Sequence, residues 1–469
     1  MLTGFLEYKE QEYSFIFQEN ERKLQLIPIE SESHTQSSVN INLNGVSFDF
    51  ERISMDIPFL TGTINENHRK IIFVTVCGAA IRQVNNILYI KLYAYFLFNT
   101  NDVKTIDKLS FCSPEIDHIF NANRGLKLGI QDIVECNKTG TITISTNNYE
   151  STTSSTDSFV VNDKKVLVSF QIIRKINTSI GKPPLSLSSC LCFEFAATND
   201  YSFIIDLCNY ARNFIRYLCF RLNIYFSSID IYTPAENNKH HNIGTVNMFY
   251  DLHEPEQEPL KKGKCIKYEY ISGKEGKILT DIADKTLYLR HLPKSSEDEH
   301  HIDIDSFIVI TAAFEWEFNR NYPEGITKSK ATQEIEELVT KEITELRDKS
   351  SGKKREKYKF LLKLVKSDSL NSKVVQVCKD FSEIIGVFGE DLYSINHIEF
   401  KSSEIGKRVS DQRNHYAHGD IDKEFIDESL LDVTFLKYLV YAIQLQYFGV
   451  TDENIRKAIN DVFHLNYAL

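Results

Sequence analysis

The sequence predicts an α+β protein in which a β-rich N-terminal domain precedes an all-α helical bundle. Residues 1–235 consist mainly of short runs in which apolar and polar positions alternate, rich in β-branched and aromatic residues. From Ile302 onward, apolar residues recur three and four positions apart, which is the spacing of amphipathic helices. A length of 469 residues favours two or three domains. We therefore expect a β-rich regulatory domain at 1–235, an irregular connection at 236–301 and a helical domain at 302–469.

Clusters of Asn, Gly, Ser and Pro separate the alternating runs of the first half. The predicted strands include Glu12–Phe17, Leu24–Ile29, Val39–Phe50, Ile71–Val76, Ile87–Phe98, Gly140–Ser145, Lys165–Ile173, Leu191–Phe195 and Ile224–Tyr232. One segment, Tyr201–Leu222, has helical spacing and is predicted to be a helix. The polar stretch Pro234–Lys264, with His240 and His241, is predicted to be a long irregular connection.

The second half is predicted to be helical throughout, with short connectors between the helices. The predicted helices are Asp303–Asn321, Thr332–Lys349, Lys353–Lys366, Ser372–Phe388, His397–His418, Ile426–Phe448 and Asp452–Phe463. Asn396 and Glu399 have the spacing of a capping box at the start of the fifth of these.

The net charge and the cysteine content limit which partners and which cellular environment the protein can have. The formal net charge of -11 argues against a general nucleic-acid coat, so any RNA contact must come from a local patch. The nine cysteines are scattered and never spaced as CxxC, which favours reduced, buried thiols over zinc sites or disulfides. No signal peptide and no apolar run of membrane-spanning length is predicted. We expect a soluble, cytoplasmic protein.

Common enzyme signatures are absent from the sequence. It contains no GxxxxGK[ST] phosphate loop, no GxGxxG after a strand, no HExxH and no GxSxG. Nucleotide hydrolysis, hydride transfer and α/β-hydrolase chemistry therefore have no support, and we expect neither a cofactor nor a metal.

The run Arg413-Asn414-His415-Tyr416-Ala417-His418 is the strongest candidate for chemistry. A guanidinium can neutralise a phosphate, and an imidazole at a helix carboxyl end can give a proton to a leaving oxygen. RNA supplies its own 2′-OH nucleophile, so these groups suffice for cleavage. We assign Arg413 to the scissile phosphate, His418 to proton transfer and Asn414 to orientation.

Other interpretations of the same helix stay open. His415 and Tyr416 are secondary candidates for substrate contact, and Arg408 with His415 forms a competing R-x6-H pair. The simplest alternative is a polar helix end that carries an incidental histidine.

With these residues in view, the C-terminal region resembles a HEPN domain, whose family motif is R-x4–6-H with a polar residue often following the arginine. The matching positions are Arg413, Asn414 and His418, and the resemblance covers roughly Ile302–Leu469. It implies a metal-independent endoribonuclease that acts as a homodimer and leaves a 2′,3′-cyclic phosphate. The layout also resembles ApeA-type anti-phage proteins, with Leu88–Asn121 the most similar segment of the first half. That likeness implies tRNA cleavage in abortive infection, with a phage-derived activator acting on the N-terminal domain.

The resemblance implies one further catalytic position, a glutamate on the first helix of the domain that faces the motif. Glu315 is the nearest equivalent and Glu317 is a close rival. HEPN domains also include inactive members that only bind RNA or serve as antitoxin or scaffold, and this is the alternative function.

The most basic segment of the chain follows the second predicted helix of this domain. Its residues Lys353, Lys354, Arg355 and Lys357 are candidates for contacts with an RNA backbone. The alternative is the solvated face of an amphipathic helix that pairs with the acidic helix before it.

Overall fold

The structure is a computed structural model of the 469-residue chain. It describes residues 1–29, 54–84, 86–101, 105–131, 141–146, 152–179, 181, 183, 185–236, 239–250, 255–417, 425 and 428–467. The chain divides into two compact units. The first comprises Met1–Arg212 and Asn223–Pro255, and the second comprises Asn213–Leu222 and Glu256–Leu469. A β-rich first part followed by a helical second part confirms the predicted α+β class.

All the described strands belong to the first unit. They are β1 (Leu2–Tyr8), β2 (Gln11–Gln18), β3 (Lys23–Pro28), β4 (Phe59–Ile64), β5 (Lys70–Thr75), β6 (Arg82–Val84), β7 (Ile87–Phe98), β8 (Ile106–Cys112), β9 (Leu126–Gln131), β10 (Thr141–Thr146), β11 (Asp157–Val161), β12 (Lys164–Ile176), β13 (Leu185–Thr198), β14 (Ser228–Pro234) and β15 (His240–Met248). The prediction of a strand at Val39–Phe50 concerns residues outside the described ranges.

The main sheet is antiparallel, in the order β11-β12-β13-β8-β14-β15-β7-β3-β2-β1-β4-β5. Strand β7 pairs with four strands of this sheet. One edge of β7 pairs with β3 and β15, and the other edge pairs with β6 and β5. The pairing of β5 with β7 closes six strands into a ring. Alternate residues of these strands point inward, as Phe15 and Phe17 do on β2, and form a buried apolar cluster with Phe73.

The helices are distributed over the chain as follows. They are α1 (Pro114–Ile119), α2 (Tyr201–Cys219), α3 (Gln257–Lys262), α4 (Tyr268–Ile271), α5 (Glu275–Ala283), α6 (Ile304–Asn321), α7 (Lys330–Asp348), α8 (Gly352–Lys366), α9 (Leu370–Asp380), α10 (Ser382–Ile395), α11 (Ser402–Ala417), α12 (Ser429–Phe448) and α13 (Asp452–Val462). In the second unit α12 is central, because it is buried on nearly every side and packs against α6, α10, α11 and α13. Within the described ranges, no helix combines the length and the apolar character that crossing a membrane requires.

The predicted irregular connection at 236–301 is wrong. It contains β15, α3, α4 and α5, and the first unit continues to Pro255. The polar sequence of β15 hid it, because its place in the sheet depends on backbone pairing with β14 and β7 more than on apolar side chains. On its buried face Ile243 and Val246 contribute to the core, while the His240 imidazole lies 3.0 Å from the Asp107 carboxylate.

Two helix boundaries also differ from prediction. The single helix expected at Ser372–Phe388 is two helices, which separate at Phe381. The capping box at Asn396 and Glu399 is wrong, because Asn396 ends α10 and α11 begins six residues later, at Ser402. His397 has a φ of 60°, in the left-handed region, so the chain turns there instead of starting a helix.

The prediction of reduced cysteines is wrong for one pair. Cys112 on β8 and Cys190 on β13 form a disulfide. The sheet register sets them directly opposite, with Cα atoms 4.7 Å apart, within the range that a disulfide requires. Their 78-residue separation leaves no local sign in the sequence. The cysteine argument for a reducing compartment is thereby lost, and a cytoplasmic location stays a prediction.

Candidate functional site

Helix α11 carries residues 413–417 of the candidate motif near its carboxyl end and packs along α9. Gly406 permits this close approach, because a Cβ there would lie 2.5 Å from the carbonyl oxygen of Asn371. Any side chain at 406 would force the two helices apart. This glycine therefore sets how closely the motif helix lies against its neighbour.

Arg413 is held by a carboxylate from a different helix. Its Nη2 lies 2.9 Å from Oε2 of Glu315 on α6, and the two side chains are 41% and 25% exposed. A guanidinium has five N–H donors, so one carboxylate leaves others available to a phosphate. The structure therefore brings together Arg413 and Glu315, two of the four predicted catalytic residues.

A second cation approaches the same carboxylate. Lys373 Nζ on α9 lies 4.0 Å from Oε1 of Glu315 and donates a 3.2 Å hydrogen bond to the side-chain oxygen of Asn319. Two cations around one carboxylate leave a local excess of positive charge, which attracts an anion. Sequence reasoning missed Lys373, because no motif connects it with a glutamate 58 positions earlier.

Glu317, the rival of Glu315, lies in the core of the second unit. Its side chain is fully buried, accepts a 2.9 Å hydrogen bond from Gln444 Nε2 and pairs with Arg320 Nε at 3.0 Å. Burial raises the pKa of this carboxyl group. Glu317 therefore holds core helices together, and Glu315 is the glutamate beside the motif.

The competing pair, Arg408 with His415, has its arginine engaged elsewhere. Nε and Nη2 of Arg408 each donate a 2.7 Å hydrogen bond to Asp432 on α12, whose side chain is fully buried. The Tyr393 hydroxyl also donates to Asp432. The hydrogen bonds to Asp432 raise the pKa of Arg408, which stays charged. This guanidinium fixes α11 to α12 and is not free for a substrate.

The remaining motif residues differ in exposure. Asn414 is exposed and His415 is half-buried. Tyr416 is buried and packs edge-on against Phe307 on α6. The secondary prediction that Tyr416 contacts substrate is therefore corrected, because its ring anchors α11 to α6. His418 lies outside the described residues, so its role stays a prediction.

The predicted basic patch lies on α8. Lys353, Lys354, Arg355 and Lys357 are all exposed, and α8 packs against α7. Lys359 forms a local ion pair with Glu356 on the same helix. A role of these cations in binding RNA stays a prediction.

The chemistry available to the site follows from its donors. Arg413 has donors that can hold a phosphate, Glu315 fixes the position of the guanidinium, and Lys373, whose side chain is 12% exposed, adds positive charge beside them. In the described ranges, no group of three or more His, Cys, Asp or Glu side chains is arranged to hold a metal ion.

Comparison of the chain with protein-family models, with curated proteins and with solved structures gives no match. The resemblance to HEPN domains therefore rests on the motif and its helical setting.

Proposed function

We propose that this chain is a metal-independent endoribonuclease of the HEPN type that cleaves tRNA or another cellular RNA through Arg413 and His418. The observation that carries the proposal is the half-exposed Arg413, fixed by Glu315 and with Lys373 near the same carboxylate, on the helix that bears the first five residues of the R-x4-H motif. A phosphate-binding arginine needs both accessible donors and a rigid mount, and Arg413 has both.

The proposed reaction is an internal transesterification. The 2′-hydroxyl of the substrate gives its proton to a solvent water and its oxygen forms a bond to the adjacent phosphorus, while the bond from phosphorus to the 5′-oxygen breaks. His418 donates the proton that the leaving 5′-oxygen requires. The products are a 2′,3′-cyclic phosphate and a 5′-hydroxyl, and neither water nor a cofactor is consumed.

Arg413 and Lys373 serve the phosphate in this scheme. Charge builds up on the non-bridging oxygens as the 2′-oxygen attacks, and a fixed guanidinium stabilises that charge without reorganisation. Glu315 orients Arg413, and Asn414 extends the exposed surface that the RNA contacts.

Biologically, we propose a role in abortive-infection defence against phage. The protein would act as a homodimer through its helical domain, and the β-rich first unit would receive a phage-derived signal. This part of the proposal rests on the family resemblance.

The direct test is incubation of the purified full-length chain with tRNA in EDTA, followed by analysis of the RNA ends. We expect 2′,3′-cyclic phosphate ends from the wild type and their loss in His418→Ala. His300→Ala is the matched control, because it removes an exposed histidine elsewhere in the second unit. Equal cleavage by wild type and His418→Ala would remove this site assignment. RNA binding without any cut ends would instead favour an inactive HEPN scaffold.

A further inference from the structure

Helices α7 and α8 form an antiparallel hairpin with an unusually exposed apolar surface. None of the nineteen residues of α7 is buried. The exposed large apolar side chains of the hairpin are Ile335 at 62%, Leu338 at 60%, Leu346 at 47%, Phe360 at 58%, Leu361 at 41% and Leu364 at 51%. Neighbouring exposed apolar residues of this size are typical of a surface that binds another protein.

On each helix, exposed apolar and charged residues together form a continuous stripe. On α7, Ile335, Leu338, Glu342 and Leu346 are separated by three or four positions and so share one face. On α8 the same spacing relates the residues of the second stripe. They are Lys353, Lys357, Phe360 and Leu364.

The two stripes lie on the same side of the hairpin. Half-buried Val339 and Ile343 on α7, with Tyr358 and Leu362 on α8, mark the sides on which the helices face each other. Measured from the centre of all the half-buried positions of its helix, each exposed stripe is rotated by about a third of a turn in the same sense. In antiparallel helices, equal rotations of this kind leave both stripes on the same side of the hairpin, and this side is the common face.

Charge is distributed unequally over this common face. Glu342 and Glu345 lie near the end of α7, and Lys353 and Lys357 lie near the start of α8. None of these four residues takes part in an ion pair within the described part of the chain. The hairpin therefore presents an apolar part at the α7 start and α8 end, and a charged part at its tip.

We propose that a second copy of this chain covers this face, forming a four-helix bundle in which α7 of each copy lies against α8 of the other. A two-fold axis parallel to the helices produces this pairing. It sets Ile335 and Leu338 against Phe360 and Leu364 of the other copy, and it sets the acidic end of α7 against the basic start of α8. The face is self-complementary in both apolar character and charge.

An RNA strand is a weaker match for the same face. A nucleic-acid groove needs cations that follow the backbone, whereas Lys353 and Lys357 continue directly into Phe360 and Leu364 on one stripe. The acidic residues on the neighbouring helix would also repel phosphates. This surface belongs to the proposed homodimer, so the inference rests on the proposed function. The experiments below measure self-association, and their outcome does not depend on whether the protein cleaves RNA.

The sharpest test uses two charge-reversed full-length chains. One carries Glu342→Lys and Glu345→Lys, and the other carries Lys353→Glu and Lys357→Glu. Each chain alone sets like charges against each other across the axis, whereas a mixture restores opposite charges on both contacts. Sedimentation should show a wild-type dimer, two weakened homodimers and a recovered heterodimer. Failure of the mixture to associate more strongly than either variant alone overturns the proposal.

A matched pair of single substitutions tests the apolar part of the face. Ile335→Asp should raise the dimer dissociation constant more than about tenfold. Ile395→Asp removes an isoleucine that is 69% exposed on α10 and should leave assembly unchanged. Circular dichroism checks that both variants remain folded. A wild-type monomer at every accessible concentration, or equal effects of the two substitutions, contradicts the assignment. So does a loss of RNA affinity in Lys353→Glu/Lys357→Glu that leaves the dimer intact.

Discussion

Arg408 and Arg413 lie on the same helix, yet the surroundings of the two guanidinium groups differ in every physical respect. Arg408 donates two hydrogen bonds to the fully buried Asp432, and its side chain is 17% exposed. Arg413 pairs with one partly exposed carboxylate and is itself 41% exposed. A guanidinium that is largely shielded and bound to a buried carboxylate contributes to folding, whereas a more exposed one with donors to spare can contact a ligand. The two arginine positions on α11 therefore have different roles.

The largest expected effect is on folding, at Arg408 in the middle of α11. Arg408→Ala leaves the Asp432 carboxylate without its cation, and the free energy of unfolding should fall by roughly 3–5 kcal/mol. Urea unfolding followed by circular dichroism measures this. Lys407→Ala, at an exposed neighbouring position, should change stability by less than about 0.5 kcal/mol. Similar losses in the free energy of unfolding for both variants would show that the contact between Arg408 and Asp432 has no special role in folding.

Burial also distinguishes a core histidine, His291, from the half-buried His415 of the motif. His291 packs among aromatic rings, and burial lowers its pKa to about 3, against about 6.5 when unfolded. The unfolded chain therefore binds the proton first as pH falls, so this contribution to stability is present above pH 6.5 and is lost as pH falls towards 3. Between pH 7 and pH 5 the expected loss is about 2 kcal/mol.

The measurement is urea unfolding of the wild type and His291→Phe at both pH values. The variant keeps an aromatic ring without a titrating group, so its stability should fall less between pH 7 and pH 5. Parallel pH dependence of the two proteins would show that His291 is not the group responsible.

A smaller effect is expected at the carboxylate that holds Arg413. Glu315→Gln keeps a hydrogen-bond acceptor and removes the charge, so the RNA cleavage rate should fall about tenfold through looser positioning of the guanidinium. Glu317→Gln is the control, because it alters a buried carboxylate away from the motif. It should lower the free energy of unfolding, whereas Glu315→Gln should lower the cleavage rate. If Glu315→Gln cleaves as fast as wild type, the ion pair has no role in the reaction.

The smallest effect is expected at Lys373. Lys373→Met retains the apolar stem and removes one cation beside Glu315, so RNA affinity should fall about threefold at moderate salt. The slope of log affinity against log salt should decrease in magnitude by about 0.7 for a single-stranded substrate. An unchanged slope would show that Lys373 contacts no phosphate.

The fold class and part of the site could be predicted from the sequence because both depend on local patterns. Helical spacing identified the second half, and the motif located Arg413. The pairing of Glu315 with Arg413 followed from a family resemblance. Contacts between residues that are distant in the sequence depend on tertiary packing, and no local sequence pattern predicted them.

Three examples show the physical reason. Asp432 lies 24 positions after Arg408, and Cys190 lies 78 positions after Cys112, so neither partnership has a local spacing. Strand β15 can be polar because backbone pairing with β14 and β7 holds it in the sheet. Its apolar and polar residues therefore hardly alternate, and the sequence gives little sign of a strand. In each case the partner is set by sheet register or helix packing.

Arg413 is proposed to bind the scissile phosphate, and the cleavage rate of Arg413→Ala in EDTA tests this role most directly. We expect a rate lower than wild type by about 10²–10³-fold, with an unfolding midpoint close to that of Lys407→Ala. A folded Arg413→Ala protein that cleaves RNA at the wild-type rate would contradict it.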